Sequence, residues 1–140
     1  MDRVLGIDVG TKRIGLAVSD PLGITAQPRE IIVRDGQGSE WRRFVELVDE
    51  LKPARVVIGL PFNMDGTEGE QAAAARLFAK TFSRKFPGIT VDFQDERLTT
   101  AATEKLLIDA GMRREKRRKS RDAIAAALIL QTWLDAGKNG

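Results

Sequence analysis

Apolar and polar positions open the chain as two short apolar runs separated by a polar turn. Residues 3–9 (Arg-Val-Leu-Gly-Ile-Asp-Val) and 13–19 (Arg-Ile-Gly-Leu-Ala-Val-Ser) read as strands, and Gly10-Thr11-Lys12 is short enough to join them as a hairpin. Pro21 and Gly23 break the pattern, and residues 28–34 follow as a third strand around Ile31-Ile32-Val33. Trp41, Phe44, Val45, Val48 and Leu51 then recur at helical spacing, behind Ser39 as N-cap and ahead of Pro53, which ends the helix by about Lys52. Residues 54–60 are apolar on both faces, as in a central strand covered on both sides. Thr67 and Glu70 have the spacing of a capping box for a second helix, whose apolar face holds Ala75, Phe78, Ala79, Phe82 and Phe86 and which Pro87-Gly88 stops. Residues 89–94 form a fifth strand. Thr99 or Thr100 opens a third helix that Gly111 closes, and Ser120 caps a last helix to about Leu134.

The order β-β-β-α-β-α-β-α-α predicts one α/β domain over residues 1–140. Its mixed five-stranded sheet has three antiparallel strands, then parallel strands reached through helices, with helices on both faces. Residues 112–120 are expected to form a flexible basic loop.

Composition narrows the chemistry. The 140 residues include no Cys and no His, which excludes disulfides, zinc-thiolate sites, thiol nucleophiles and histidine catalysis or ligation. An enzyme built from this chain works with carboxylates, Lys, Arg, hydroxyls and hard metals. Asp8 and Gly10 interrupt the first apolar run, so no signal peptide or membrane span is expected, and a cytoplasmic location follows. The net charge of +3 hides a patch: residues 113–121 hold seven basic side chains and one acid, leaving the remainder net acidic. A patch of that kind suits a polyanion.

Three acids stand at awkward places. Asp8 lies inside the first strand, and Gly6 and Gly10 share its face, so space is cleared around one carboxylate. Glu96 lies where the fifth strand leaves the sheet. Asp95 points the other way, and alternation alone does not choose between the two. Asp122 lies in the first turn of the last helix, before Ala123, Ala125, Ala126 and Ala127, whose small side chains let that helix pack close to the sheet. Converging carboxylates need cations between them. Without His or Cys, Mg²⁺ or Mn²⁺ is favoured, and two such ions about 4 Å apart suit phosphodiester hydrolysis. The glycines of residues 10–15 do not make a P-loop, because Leu16-Ala17 stands where Lys-Ser/Thr is required.

Four stretches together resemble the YqgF family. They are Gly6-Ile7-Asp8-Val9-Gly10-Thr11-Lys12-Arg13-Ile14-Gly15, Gly59-Leu60-Pro61-Phe62-Asn63-Met64-Asp65-Gly66-Thr67, Asp95-Glu96-Arg97-Leu98-Thr99-Thr100 and Asp122-Ala123-Ile124-Ala125-Ala126. The resemblance implies an RNase H-like fold, related to Holliday junction resolvases, and a divalent-metal nuclease associated with 5′-end maturation of 16S rRNA. It implies Asp8, Glu96 and Asp122 as catalytic and metal-binding acids, choosing Glu96 over Asp95, with two Mg²⁺ or Mn²⁺ ions. It also leads one to expect a glycine in the basic approach to the last acid, where Arg118-Lys119-Ser120-Arg121 stands.

The expected partners are precursor rRNA or branched DNA, ribosomal particles, and at most a second copy in a weak homodimer. Candidate phosphate contacts are Lys12, Arg13, Arg97, Arg113, Arg114, Lys116, Arg117, Arg118, Lys119 and Arg121. Asn63 and Asp65 either line the substrate groove or shape the turn before the second helix. Three rivals stand beside the rRNA nuclease: a branched-DNA resolvase, a non-catalytic RNA-binding assembly factor, and a nucleotide binder. The last arises because Asp8-Val9-Gly10-Thr11 also looks like the phosphate loop of the actin, Hsp70 and sugar-kinase superfamily. Those proteins clamp ATP between two such domains, and this chain has length for one.

Overall fold

The computed structural model describes residues 3–96 and 114–137, with residues 114–120 as backbone. Strands β1 (Val4–Val9), β2 (Arg13–Ser19) and β3 (Ala26–Val33) form an antiparallel meander. Helix α1 (Glu40–Leu51) leads to β4 (Arg55–Leu60), which pairs parallel with β1. Helix α2 (Glu70–Lys85) leads to β5 (Thr90–Asp95), parallel to β4, and α3 (Arg114–Asp135) crosses the sheet. The strand order is β3-β2-β1-β4-β5, the mixed five-stranded sheet that the pattern predicts.

The two faces of the sheet carry different cores. Leu5, Ile7, Ile14, Leu16, Val56 and Ile58 point toward α1 and α2, where the rings of Trp41, Phe44, Phe78, Phe82 and Phe86 interlock. Trp41 stacks on Phe78 with centroids 4.8 Å apart, so it is a core anchor. The opposite face is flatter. Val4, Ala17 and Val57 receive Ala126, Ile129, Leu130 and Trp133 of α3. Polar contacts fix that helix at both edges of the sheet. Gln131 accepts from the Ala26 amide at 2.9 Å and donates to the Ile24 carbonyl, and Trp133 Nε1 donates to Asp92 at 2.8 Å.

Three expectations change. The basic segment is not a loop over residues 112–120: α3 begins at Arg114, so Arg114, Lys116, Arg117, Arg118 and Lys119 stand on its first turns. Arg, Lys, Glu and Ala all favour helix, and neither Gly nor Pro interrupts residues 112–136. Ser120 is therefore interior to the helix, and Asp122 lies beyond its first turn. The Thr67–Glu70 capping box also does not form. Gly69 is the N-cap of α2, and Asp65 instead accepts from the amide and hydroxyl of Thr67. Ser39 precedes α1, but with helical dihedrals and no side-chain cap. The helix expected between Thr99 and Ala110 lies outside the described residues.

Phe82 is fully buried among Trp41, Phe44, Phe78 and Phe86. Phe82→Ala is expected to lower unfolding free energy by about 3 to 5 kcal/mol, measured by urea titration with circular dichroism. A loss under about 1 kcal/mol would contradict this packing.

Candidate active site

Strands β1, β3, β4 and β5 all run toward one edge of the sheet, where α1 and α2 begin. A cleft of about 740 Å³ opens there. Asp8, Glu96 and Asp122 line it together with Arg121. Ligand sites in open α/β sheets form at such carboxyl ends of strands.

Each acid is placed by a different device. Asp8 stands in β1 opposite Gly15 of β2, on the face that α3 covers. Gly15 has no side chain to hold that helix away: a Cβ there would strike the backbone carbonyl of Asp122. This close approach carries Asp122 to Asp8. Glu96 continues the β5 ladder by one bond, its amide donating to the Leu60 carbonyl at 3.2 Å. Its carboxylate lies over Gly59, where a Cβ would collide with it. Gly6 serves the helix as well, since a Cβ would meet Leu130 at 2.8 Å and the Ala126 carbonyl at 2.9 Å. The space over Gly6 is thus filled by α3, while Asp8 and Gly10 line the cleft.

The electrostatics follow from this crowding. Burial pushes the Asp8 carboxyl up to about 6; neighbouring Asp122 adds to the rise and Arg121 opposes it. Burial, then Asp8 and Asp95, push Glu96 up to about 7. Asp122 accepts from Arg13 Nε at 2.9 Å. Among the described residues no group of three or more acids closes around a point where an ion could sit. An open, all-oxygen site is what Mg²⁺ takes, because that ion keeps several waters and shares its shell with substrate phosphates. A cation would also relieve the repulsion that raises Asp8 and Glu96. The residues therefore fit a hard divalent ion.

Residues 2–136 match the protein family described as "RuvX: Holliday junction resolvase". The chain belongs to this family. A Lactococcus lactis subsp. cremoris (strain MG1363) relative, named "Putative pre-16S rRNA nuclease", is 53% identical over 136 residues, 96% of this chain and 94% of the relative. A Streptococcus pneumoniae serotype 19F (strain G54) relative of the same name is 48% identical over 136 residues, 95% of this chain and 97% of the relative. Among solved structures, T. thermophilus RuvC in complex with Holliday junction substrate matches with a TM-score of 0.62 at 21% identity, covering 99% of this chain and 97% of that one. The fold is RNase H-like, and the YqgF resemblance and the RuvX family are one assignment.

The other predicted site residues divide. Lys12 is exposed in the β1–β2 turn, and Arg13 is engaged with Asp122. Arg121 lines the cleft. Arg97 and Arg113 lie outside the described residues. Asn63 and Asp65 make hydrogen bonds within their own turn, to Thr67, and neither lines the acidic cleft. Asn63 does line a smaller hollow of about 350 Å³, and Gln71 borders both spaces. Sequence reasoning missed Gly15 and Gly59 as the residues that admit Asp122 and Glu96, and missed Arg34 and Glu40 on the cleft wall. Glu40 looks like an ordinary first-turn acid, and only its burial singles it out. No helix among the described residues is long and apolar enough to cross a membrane.

Two outcomes follow. The raised carboxyls favour the folded state when neutral. Their contribution is full below the ordinary carboxyl values of 3.8 and 4.5 and is lost as pH rises through about 6 for Asp8 and about 7 for Glu96. Asp8→Asn and Glu96→Gln are therefore expected to stabilise metal-free protein by about 2 to 3 kcal/mol at pH 8, and little at pH 4.5. Thermal melts in chelator at both pH values check this, and equal effects at the two would contradict it. Gly15→Val is expected to push the Asp122 turn of α3 off the sheet. Mg²⁺ should then no longer raise the melting temperature, and a wild-type response would refute the role of that contact.

Proposed function

We propose that this chain is a metal-dependent nuclease that hydrolyses phosphodiester bonds at the 5′ end of precursor 16S rRNA. One observation carries the proposal: three carboxylates from distant segments line one cleft, in a chain without His or Cys. The crowding of Asp8 and Glu96 calls for a cation, and relatives about half identical to this chain bear the pre-16S rRNA nuclease name.

Asp8, Glu96 and Asp122 would hold one or two Mg²⁺ or Mn²⁺ ions. Bound there, the metal would supply an activated water and neutralise the oxygen that leaves. The chain supplies the rest. Asp8 and Glu96 are held by the sheet, so their oxygens are fixed before substrate arrives. Arg13 holds the Asp122 carboxylate at 2.9 Å and keeps its orientation. Arg121 brings positive charge to the cleft, and the basic first turns of α3 lead into it, so a phosphate chain is drawn toward the acids.

A second reading, cleavage of branched DNA, is favoured by the family description. Resolving a four-way junction requires two cuts and therefore two copies of this site, whereas trimming one RNA end requires one.

A cleavage panel with Mg²⁺ and Mn²⁺ tests the proposal, using a precursor rRNA 5′ end, unstructured single-stranded RNA, single-stranded DNA and a four-way junction. Cleavage of the rRNA precursor is expected, falling at least about a hundredfold in Asp8→Asn. Cutting of the junction alone would select the second reading. Cleavage that survives Asp8→Asn would remove the activity from this cleft.

A further inference from the structure

The nuclease reading leaves one wall of the cleft unexplained. Arg121 lines the cleft next to Asp122, and the lining away from them includes Gly10, Thr11, Arg34, Gly36, Gly38 and Glu40. A polyanion that reaches three carboxylates needs cations along its path, and Arg13 is already committed to Asp122.

Arg34 is held in an unusual way. Its amide donates to the Lys12 carbonyl at 2.8 Å. Its Nε donates to Glu40 at 3.0 Å, and its Nη1 donates to the Gly10 carbonyl at 3.0 Å. Glu40 is only 4% exposed, and a buried carboxylate needs a cation beside it. An arginine present only to neutralise it would meet it fork to fork and satisfy both oxygens. Here the guanidinium reaches across to the β1–β2 turn instead, and Glu40 Oε1 has no partner among the described residues. A guanidinium has five N–H donors. The remaining donors of Arg34 have no partner among the described residues, and the side chain, 28% exposed, borders the cleft. Gly36 and Gly38, at φ 79° and 82°, line that end and add no side chains of their own.

We propose that Arg34 binds a backbone phosphate of the substrate strand next to the one that is cut, with Glu40 as the positioning residue that aims it. The Gly10 carbonyl ties this guanidinium to the chain two residues beyond Asp8, so the phosphate it holds is kept in step with the acid. The inference rests on the nuclease reading and adds to it a subsite for the neighbouring phosphate.

Binding is measured with Asp8→Asn protein in Mg²⁺, on labelled single-stranded RNA from a precursor rRNA 5′ end carrying single methylphosphonate linkages at successive positions. One position is expected to weaken binding about tenfold in the presence of Arg34. Removing Arg34 in the Arg34→Met/Glu40→Gln pair, which leaves net charge unchanged, should abolish the penalty at that position. The same pair should make the salt dependence shallower by about 0.7 in log–log slope. If that pair melts below the working temperature, Arg34→Lys is scanned instead; it keeps the charge without the fork, and the penalty at that position should shrink. A methylphosphonate profile and salt slope indifferent to Arg34 would overturn this inference alone. Failure of Asp8→Asn protein to bind any strand of the cleavage panel would overturn the nuclease reading and this inference together.

Discussion

Helix α3 meets bare backbone at two points where it crosses β1 and β2, Gly6 and Gly15. The Asp122 carbonyl lies over Gly15, and Leu130 and the Ala126 carbonyl lie over Gly6. A helix normally stands about 10 Å from a packed layer because side chains keep it there. Glycines below and alanines above remove that spacer, and the helix sinks until main chain meets main chain. Asp122 then reaches the flank of Asp8. Gln131, accepting from the Ala26 amide, and Trp133, donating to Asp92, hold the other end of the helix to β3 and β5, so it cannot pivot away without breaking polar contacts as well.

That close packing has an electrostatic consequence. Asp8, Glu96 and Asp122 come together at a partly buried edge, and the first two are driven toward their neutral forms. The fold therefore carries a local repulsion that a bound cation would offset. Arg13 offsets part of it by pairing with Asp122. The aromatic core beneath α1 and α2 lies on the other face of the sheet, apart from the cluster that α3 covers.

The acids arrive from β1, from the end of β5 and from α3, far apart in sequence but at one edge of one sheet. Parallel strands make this possible, since each ends where the next helix begins. The same geometry brings Arg34 at the end of β3 and Glu40 at the start of α1 to the opposite wall. The cleft is thus lined with acid at its floor and basic groups on its sides, a charge distribution suited to a phosphate chain crossing a cation.

Local pattern was sufficient for much of this. Apolar runs bounded by turn residues marked all five strands, and the 3.6-residue period marked the two helices between them. The absence of His and Cys selected the chemistry, and an acid inside an apolar strand marked Asp8. Gly6 was visible as a missing side chain, but what fills its space was not, because that depends on a helix more than a hundred residues away. The basic run carried a charge signal that favours solvent exposure and a propensity signal that favours helix. Residues 114–120 followed propensity. Arg34 and Glu40 lie only six residues apart, yet the loop between them sets their meeting, and its course is held by glycine dihedrals that no periodicity encodes. Sequence alone determined the elements, their order and the kinds of groups available. Tertiary packing decided which of those groups share a cleft, because close approach of main chain to main chain is a property of the assembled sheet and helix and of neither by itself.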